Sequence, residues 1–200
     1  MKTILQLNTS IYSDEGQSSR LANEFVAAIR GNEKLIVRDL ARDPVPHLDA
    51  ERFGAFLAKP EARTLKQDAF VAYSDGLINE LKQADVIVLG LPMYNFGVPS
   101  TLKAYFDHVA RAGVTFSYTA NGPVGLLTGK KAYVLATRGG LYQGTPRDTQ
   151  SAYVRDFLAF LGITDVEFVY AEGLAISEAS RTASLAKARE SIGQRLPAYA

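Results

Sequence analysis

The stretch Asp85-Val86-Ile87-Val88-Leu89-Gly90-Leu91-Pro92-Met93-Tyr94-Asn95-Phe96 decides the fold. Its apolar run is β-branched and aliphatic without polar alternation, which predicts a strand buried on both faces of a parallel sheet. The run stops in a Pro-led polar and aromatic loop. That loop therefore sits at the carboxyl end of a buried strand, where open α/β sheets bind flat ligands.

Outward from this strand, short apolar runs alternate with longer amphipathic ones, the pattern of βαβ units. Strands are expected at Thr3 to Leu7, Leu35 to Arg38, Val86 to Gly90, Ala132 to Thr137 and Val166 to Tyr170. Helical periodicity predicts helices from Ser18 to Ile29, Thr64 to Leu81, Asp148 to Leu161 and Ser177 to Leu196, with a further one capped by Ser100. The Pro-interrupted stretch from Ala41 to Lys59 reads as an excursion beside the second crossover. The glycine-rich connection from Ala112 to Gly129 reads as mostly irregular, a binding loop or interface element.

A chain of 200 residues fits one domain, here 1–200, and buries roughly 70% of the surface its unfolded form exposes. Hydrophobic residues make up 47% and charged ones 22%, ordinary for a globular protein. A net charge of +1 argues against a broad nucleic-acid-binding surface. The absence of cysteine excludes disulfides, thiolate metal sites and cysteine nucleophiles. The first residues carry too short an apolar run for a signal peptide and no segment is long enough to span a bilayer, so a cytoplasmic protein without a membrane partner is expected.

Three strand ends carry the chemistry. The first, Asn8 to Ser19, is rich in hydroxyls and leads into a helix start, which suits one phosphate. It lacks the Gly-x-Gly-x-x-Gly of dinucleotide binders. The alternative is that Ser18 merely caps the helix. At the second end, Pro92 to Gly97 sets flat and polarizable side chains beside Asn95, so that a heterocycle stacks while backbone N–H groups fix its polar edge. The alternative makes Tyr94 and Phe96 caps of the core. The third, Thr137-Arg138-Gly139-Gly140, lets backbone approach a ring and offers Arg138 to negative charge, or is simply a glycine-rich turn with a surface arginine. Together the three loops converge on one edge of a sheet ordered 2-1-3-4-5 with helices on both faces, a flavodoxin-like three-layer sandwich whose guest is FMN.

These residues resemble the FMN-dependent NADH azoreductases, also called NADH:quinone oxidoreductases, of bacteria. The resemblance rests on Met93-Tyr94-Asn95-Phe96, on the segment from Lys103 to Phe116, on Thr137-Arg138-Gly139-Gly140 and on Phe157 to Ile163, and extends over essentially the whole chain. It implies that Ser10, Gly16, Gln17 and Ser18 hold the ribityl phosphate. Gly16 stands where a serine is common, so its backbone N–H is expected to serve instead. Met93, Tyr94, Asn95 and Phe96, with Thr137, Arg138, Gly139 and Gly140, are expected to hold the isoalloxazine. Leu141-Tyr142 replaces an isoleucine-histidine pair of some relatives.

The resemblance further implies a homodimer in which Tyr118 and Phe160 help form the acceptor pocket, from the neighbouring subunit; ordinary packing is the alternative for both. It implies one FMN per subunit, NADH as donor, and quinones, azo compounds or nitroaromatics as acceptors in a ping-pong reaction that needs no catalytic side chain. An electron carrier of flavodoxin type and a flavin-dependent regulatory dimer are the rival readings.

Other constellations are weaker. His108, beside Asp107, has no partners at metal-ligand spacing and reads as structural or solvated. Gly125 to Lys131 lacks the glycine spacing of a P-loop. Asp43 and Asp49 read as turn formers, and the charges of the last helix, such as Glu178 and Lys187, as a solvated face.

Overall fold

The computed structural model describes residues 1–195. Five parallel strands, β1 (Thr3–Asn8), β2 (Lys34–Asp39), β3 (Val86–Pro92), β6 (Lys131–Thr137) and β7 (Asp165–Ala171), form one sheet in the order β2-β1-β3-β6-β7. This is the expected 2-1-3-4-5 arrangement counted over parallel strands alone. The numbering jumps because β4 (Phe116–Thr119) and β5 (Gly122–Gly125) make a separate antiparallel hairpin inside the connection expected to be irregular. Glycine and proline content hid it: Gly122, Pro123 and Gly125 are strand residues here.

Central strands β1 and β3 are buried at every position, whereas edge strand β2 is not buried anywhere. Two apolar clusters fill the two faces. Leu21, Phe25, Val26 and Ile29 of α1 (Gln17–Ile29) join Ala188 and Ile192 of α6 (Glu178–Arg195) on one face. On the other, the core takes in side chains of α3 (Leu65–Gln83), α4 (Ser100–Val109) and α5 (Thr149–Phe160). Burying each such aliphatic side chain contributes about 1.5–3 kcal/mol.

Helix starts follow local chemistry. Thr64 closes a capping box with Gln67 ahead of α3, and Asp148 accepts from Ser151 N ahead of α5. Ser100 does not cap α4; Pro99 occupies the cap and Ser100 is the first helical residue. The excursion after β2 contains one more helix, α2 (Ala50–Leu57), whose cap is Asp49. Asp43 pairs with Arg38 at 2.9 Å. Leu196, the expected end of the last helix, lies outside the described residues.

His108 is buried, with Nδ1 3.0 Å from Ala104 O and its ring edge-on to Phe56 and Tyr73. Burial pushes its pKa down, so it stays neutral. Among the described residues no helix is long and apolar enough to cross a membrane.

Register places the functional ends. Asn8 pairs with Gly90 and Pro92 with Thr137, so β3 and β6 run beyond β1 at a shared carboxyl rim. At the opposite rim the hairpin is pressed onto the end of α5: Leu127 N donates to Leu161 O at 2.8 Å, and a β-carbon on Gly125 would stand 2.0 Å from Gly162 N. Gly125→Ala is accordingly expected to lower stability by about 3 kcal/mol in urea unfolding, because backbone rather than a flexible side chain must move. An unchanged midpoint would contradict this packing.

Candidate functional site

The order of the sheet reverses at β1, with β2 on one side and β3 on the other, the switch point at which open α/β sheets bind their ligands. Thr9 closes the base of the first loop, its N and Oγ1 both donating to Gly90 O. Gly90 itself permits the approach of α1, since a β-carbon there would lie 2.9 Å from Ser18 O.

Helix α1 begins after Gly16, and no side chain caps it. Its first intrahelical bond runs from Arg20 N to Gly16 O, so the N–H groups of Gln17, Ser18 and Ser19 precede any intrahelical acceptor. The hydroxyls of Ser18 and Ser19 are buried and without a hydrogen-bond partner among the described residues. Ser18 is thus not a cap but the second residue of the helix. Unpaired donors at the positive end of a helix dipole fit a phosphate, and a phosphate would satisfy them.

Ser19 was not singled out from the sequence, although it adjoins Ser18. Gly16 differs from expectation. Its N–H closes a tight turn on Ser13 O at 3.2 Å and is not free for a ligand. A β-carbon at this position would stand 2.1 Å from Ser10 Oγ, so Ser10 fills the space a serine here would need.

The second loop turns tightly: Tyr94 N and Gly97 O, and Gly97 N and Tyr94 O, bond reciprocally around Asn95 and Phe96, whose φ values are +50° and +64°. That is the geometry of a type I′ turn, which suits asparagine and strains phenylalanine by about 1 kcal/mol. A cleft of about 970 Å³ runs along this loop, walled also by Ile11, His47, Lys103 and Tyr153.

The third loop is knitted to the segment after β7, with Arg138 N bonded to Ala171 O and Leu174 N to Arg138 O. Contacts join all three loops. Ser10 Oγ lies 3.3 Å from Tyr94 OH, Met93 N donates to Thr137 O at 3.0 Å, and the rings of Phe96 and Tyr142 meet edge to face at 5.5 Å.

Arg138 is committed elsewhere than to a ligand. Its side chain is 0% exposed; it pairs with Asp148 at 2.7 Å and Glu172 at 3.0 Å, donates to Ser151 Oγ, and lies over the Tyr170 ring. Glu172 Oε1 also accepts from Tyr142 N and Gln143 N, so the pair anchors the third loop. Burial pushes the Asp148 carboxyl up, but bonds from Arg138 and Ser151 outweigh it and hold it below the usual carboxylate range.

Tyr118 and Phe160 come together, but away from the rim. Phe116 links them, 4.2 Å from the Phe160 ring and 5.4 Å from that of Tyr118. Tyr118 is 75% exposed. Helix α5 separates this cluster from the second loop: Thr149 at its start bonds Phe96 O, and Phe160 ends it, about 16 Å away at the rise of an α-helix.

A family model described as the flavodoxin-like fold matches residues 2–196. The FMN-dependent NADH:quinone oxidoreductase of Cellvibrio japonicus is 53% identical, covering 99% of this chain and 100% of that protein. FMN-dependent NADH:quinone oxidoreductase 6 of Burkholderia lata is 54% identical over 96% of this chain and 98% of its own. Among solved structures, an FMN-dependent NADH-azoreductase of Bacillus anthracis in complex with FMN superposes with a TM-score of 0.85 at 26% identity, covering 97% of this chain and 99% of that one.

Replacing Arg138 by methionine leaves two partly buried carboxylates without their cation, and Arg138→Met is expected to cost about 3 kcal/mol at pH 7. The depressed Asp148 pKa makes its share of the pairing complete above an ordinary aspartate value of 3.8 and lost as pH falls through the lower folded value. The gap between wild type and variant should therefore narrow below about pH 4. Equal stability of the two at pH 7 would contradict the pairing.

Proposed function

We propose, because this chain belongs to the FMN-dependent NADH:quinone oxidoreductases of the flavodoxin-like fold family, that its three rim loops seat one FMN per subunit and that a homodimer completes the acceptor pocket. The protein is an oxidoreductase that draws electrons from NADH, reduces quinones to quinols and cleaves aromatic azo compounds to amines. Nitroaromatics suit the same geometry. We place this single domain, 1–200, in the cytoplasm, where NADH is supplied.

The observation that carries the reading is the uncapped start of α1 over the carboxyl ends of β1 and β3, with the buried Ser18 and Ser19 hydroxyls unpartnered there among the described residues. Ser10, Gln17 and Ser18 take the phosphate, joined by the Ser19 hydroxyl. FMN held there would supply the redox chemistry, hydride acceptance from nicotinamide and delivery of two electrons onward. Met93 to Phe96 and Thr137 to Gly140 would hold the ring. With Arg138 neutralised by carboxylates, negative charge at the site is met by backbone N–H dipoles.

With one face of the ring covered by the loops, donor and acceptor would take turns on the other, a ping-pong order. Cleavage of an azo bond to two amines takes four electrons, hence two NADH per bond. Because Tyr118 and Phe160 sit a helix length from the second loop of their own chain, they serve a ring only in the partner of a dimer.

Purified protein is expected to be yellow, to release one FMN per chain on denaturation, and to oxidise NADH with benzoquinone along parallel double-reciprocal lines. Colourless protein that rejects added FMN would sink the reading. Intersecting lines would contradict the shared side, and bound FMN with negligible turnover would favour an electron carrier or a redox-responsive dimer. Tyr118→Ala is expected to raise the quinone KM about tenfold without loss of bound FMN; an unchanged KM would remove Tyr118 from the pocket.

A further inference from the structure

The second residue of α5, Gln150, is 1% exposed, and its Nε2 donates to two backbone carbonyls at once, Pro92 O and Gly97 O, both at 2.9 Å. These two carbonyls stand immediately before and after Met93 to Phe96. The neighbouring Thr149 Oγ1 donates to Phe96 O at 2.7 Å, so three bonds from one helix start tie the whole loop. The loop they hold contains two successive left-handed residues with side chains, a backbone that relaxes when it is not held.

The same turn of α5 grips the facing loop. Asp148 and Ser151 both accept from Arg138, which follows Thr137 directly. One helix start thus braces both loops from outside, in addition to the direct bond from Met93 N to Thr137 O. Gln150 Oε1 is buried with no hydrogen-bond partner among the described residues, a liability for stability that an apolar residue would avoid. What the side chain contributes lies in its nitrogen and the two carbonyls it spans.

We propose that Gln150 is a positioning residue for the flavin: by bridging Pro92 and Gly97 to the start of α5, it fixes where the Met93–Phe96 loop stands beside the Thr137–Gly140 loop, and so where both would meet the ring. The inference rests on the proposed FMN site. Thr149 acts as a second tie at the far end of the same loop.

The test is FMN titration of the apoprotein, followed by flavin fluorescence and by the visible spectrum of the reconstituted holoprotein, with melting temperature measured alongside. Gln150→Met keeps the volume and removes both bonds; it is expected to raise the FMN Kd roughly tenfold and to alter the flavin absorption band. Thr149→Val, at an exposed position, is expected to raise Kd about threefold. Val154→Ala, a buried change on the same helix that touches neither loop bond, should lower the melting temperature while leaving Kd within about twofold.

A folded Gln150→Met protein that binds FMN as wild type does, with an unchanged spectrum, overturns the proposal. So does a Val154→Ala protein that loses as much affinity, since the effect would then follow stability alone. If Gln150→Met fails to fold, Thr149→Val decides, and an unchanged Kd there overturns it. Wild-type protein that binds no FMN defeats the function itself, a separate outcome.

Discussion

The carboxyl rim is organised around a guanidinium taken wholly out of water, which the fold tolerates only because two carboxylates, a hydroxyl and an aromatic face surround it. Arg138 comes from the end of β6, Asp148 and Ser151 from the start of α5, and Glu172 from the segment after β7. Desolvating a charge costs several kcal/mol, and only simultaneous pairing offsets it. All three segments must therefore be in place together, so the third loop, the helix start and the edge strand close as a unit. Most of what the site needs in the way of rigidity follows from that requirement.

Rigidity matters because the chain itself brings little reactive chemistry to the rim. Serine hydroxyls and backbone N–H groups bind; they do not transfer electrons. On the proposed function the fold contributes by holding a flat prosthetic group in place. The left-handed Asn95 and Phe96, the Ser10–Tyr94 contact and the edge-on Phe96–Tyr142 pair are all ways of joining loops that have no regular structure of their own.

The central strands β1, β3 and β6 are legible in sequence because burial on both faces demands continuous apolar runs, and these and the edge strands β2 and β7 lie within two residues of their expected ends. The β4–β5 hairpin is not legible, since β5 reads Gly-Pro-Val-Gly and its close approach to Leu161 and Gly162 is through backbone, with Phe116 its one ring contact to α5 among the described residues. Helix α2 was masked by flanking prolines. The loops of the site could be read from their composition and position after strands, but not the direction of Arg138, which depends on Asp148 and Glu172 converging from distant parts of the chain. Thr149 and Gln150 escaped for a related reason: their partners are main-chain carbonyls, which every residue possesses.

The central claim is that three loops at one end of the sheet grip a single FMN. Amide hydrogen exchange, compared between apoprotein and FMN-loaded protein, tests it most directly. Protection on loading is expected in residues 9–19, 92–97 and 137–142, with the β4–β5 hairpin and the amino-terminal rim of the same chain unchanged apart from any dimer contact. Protection absent from those three segments, or concentrated at the opposite rim, would contradict the account.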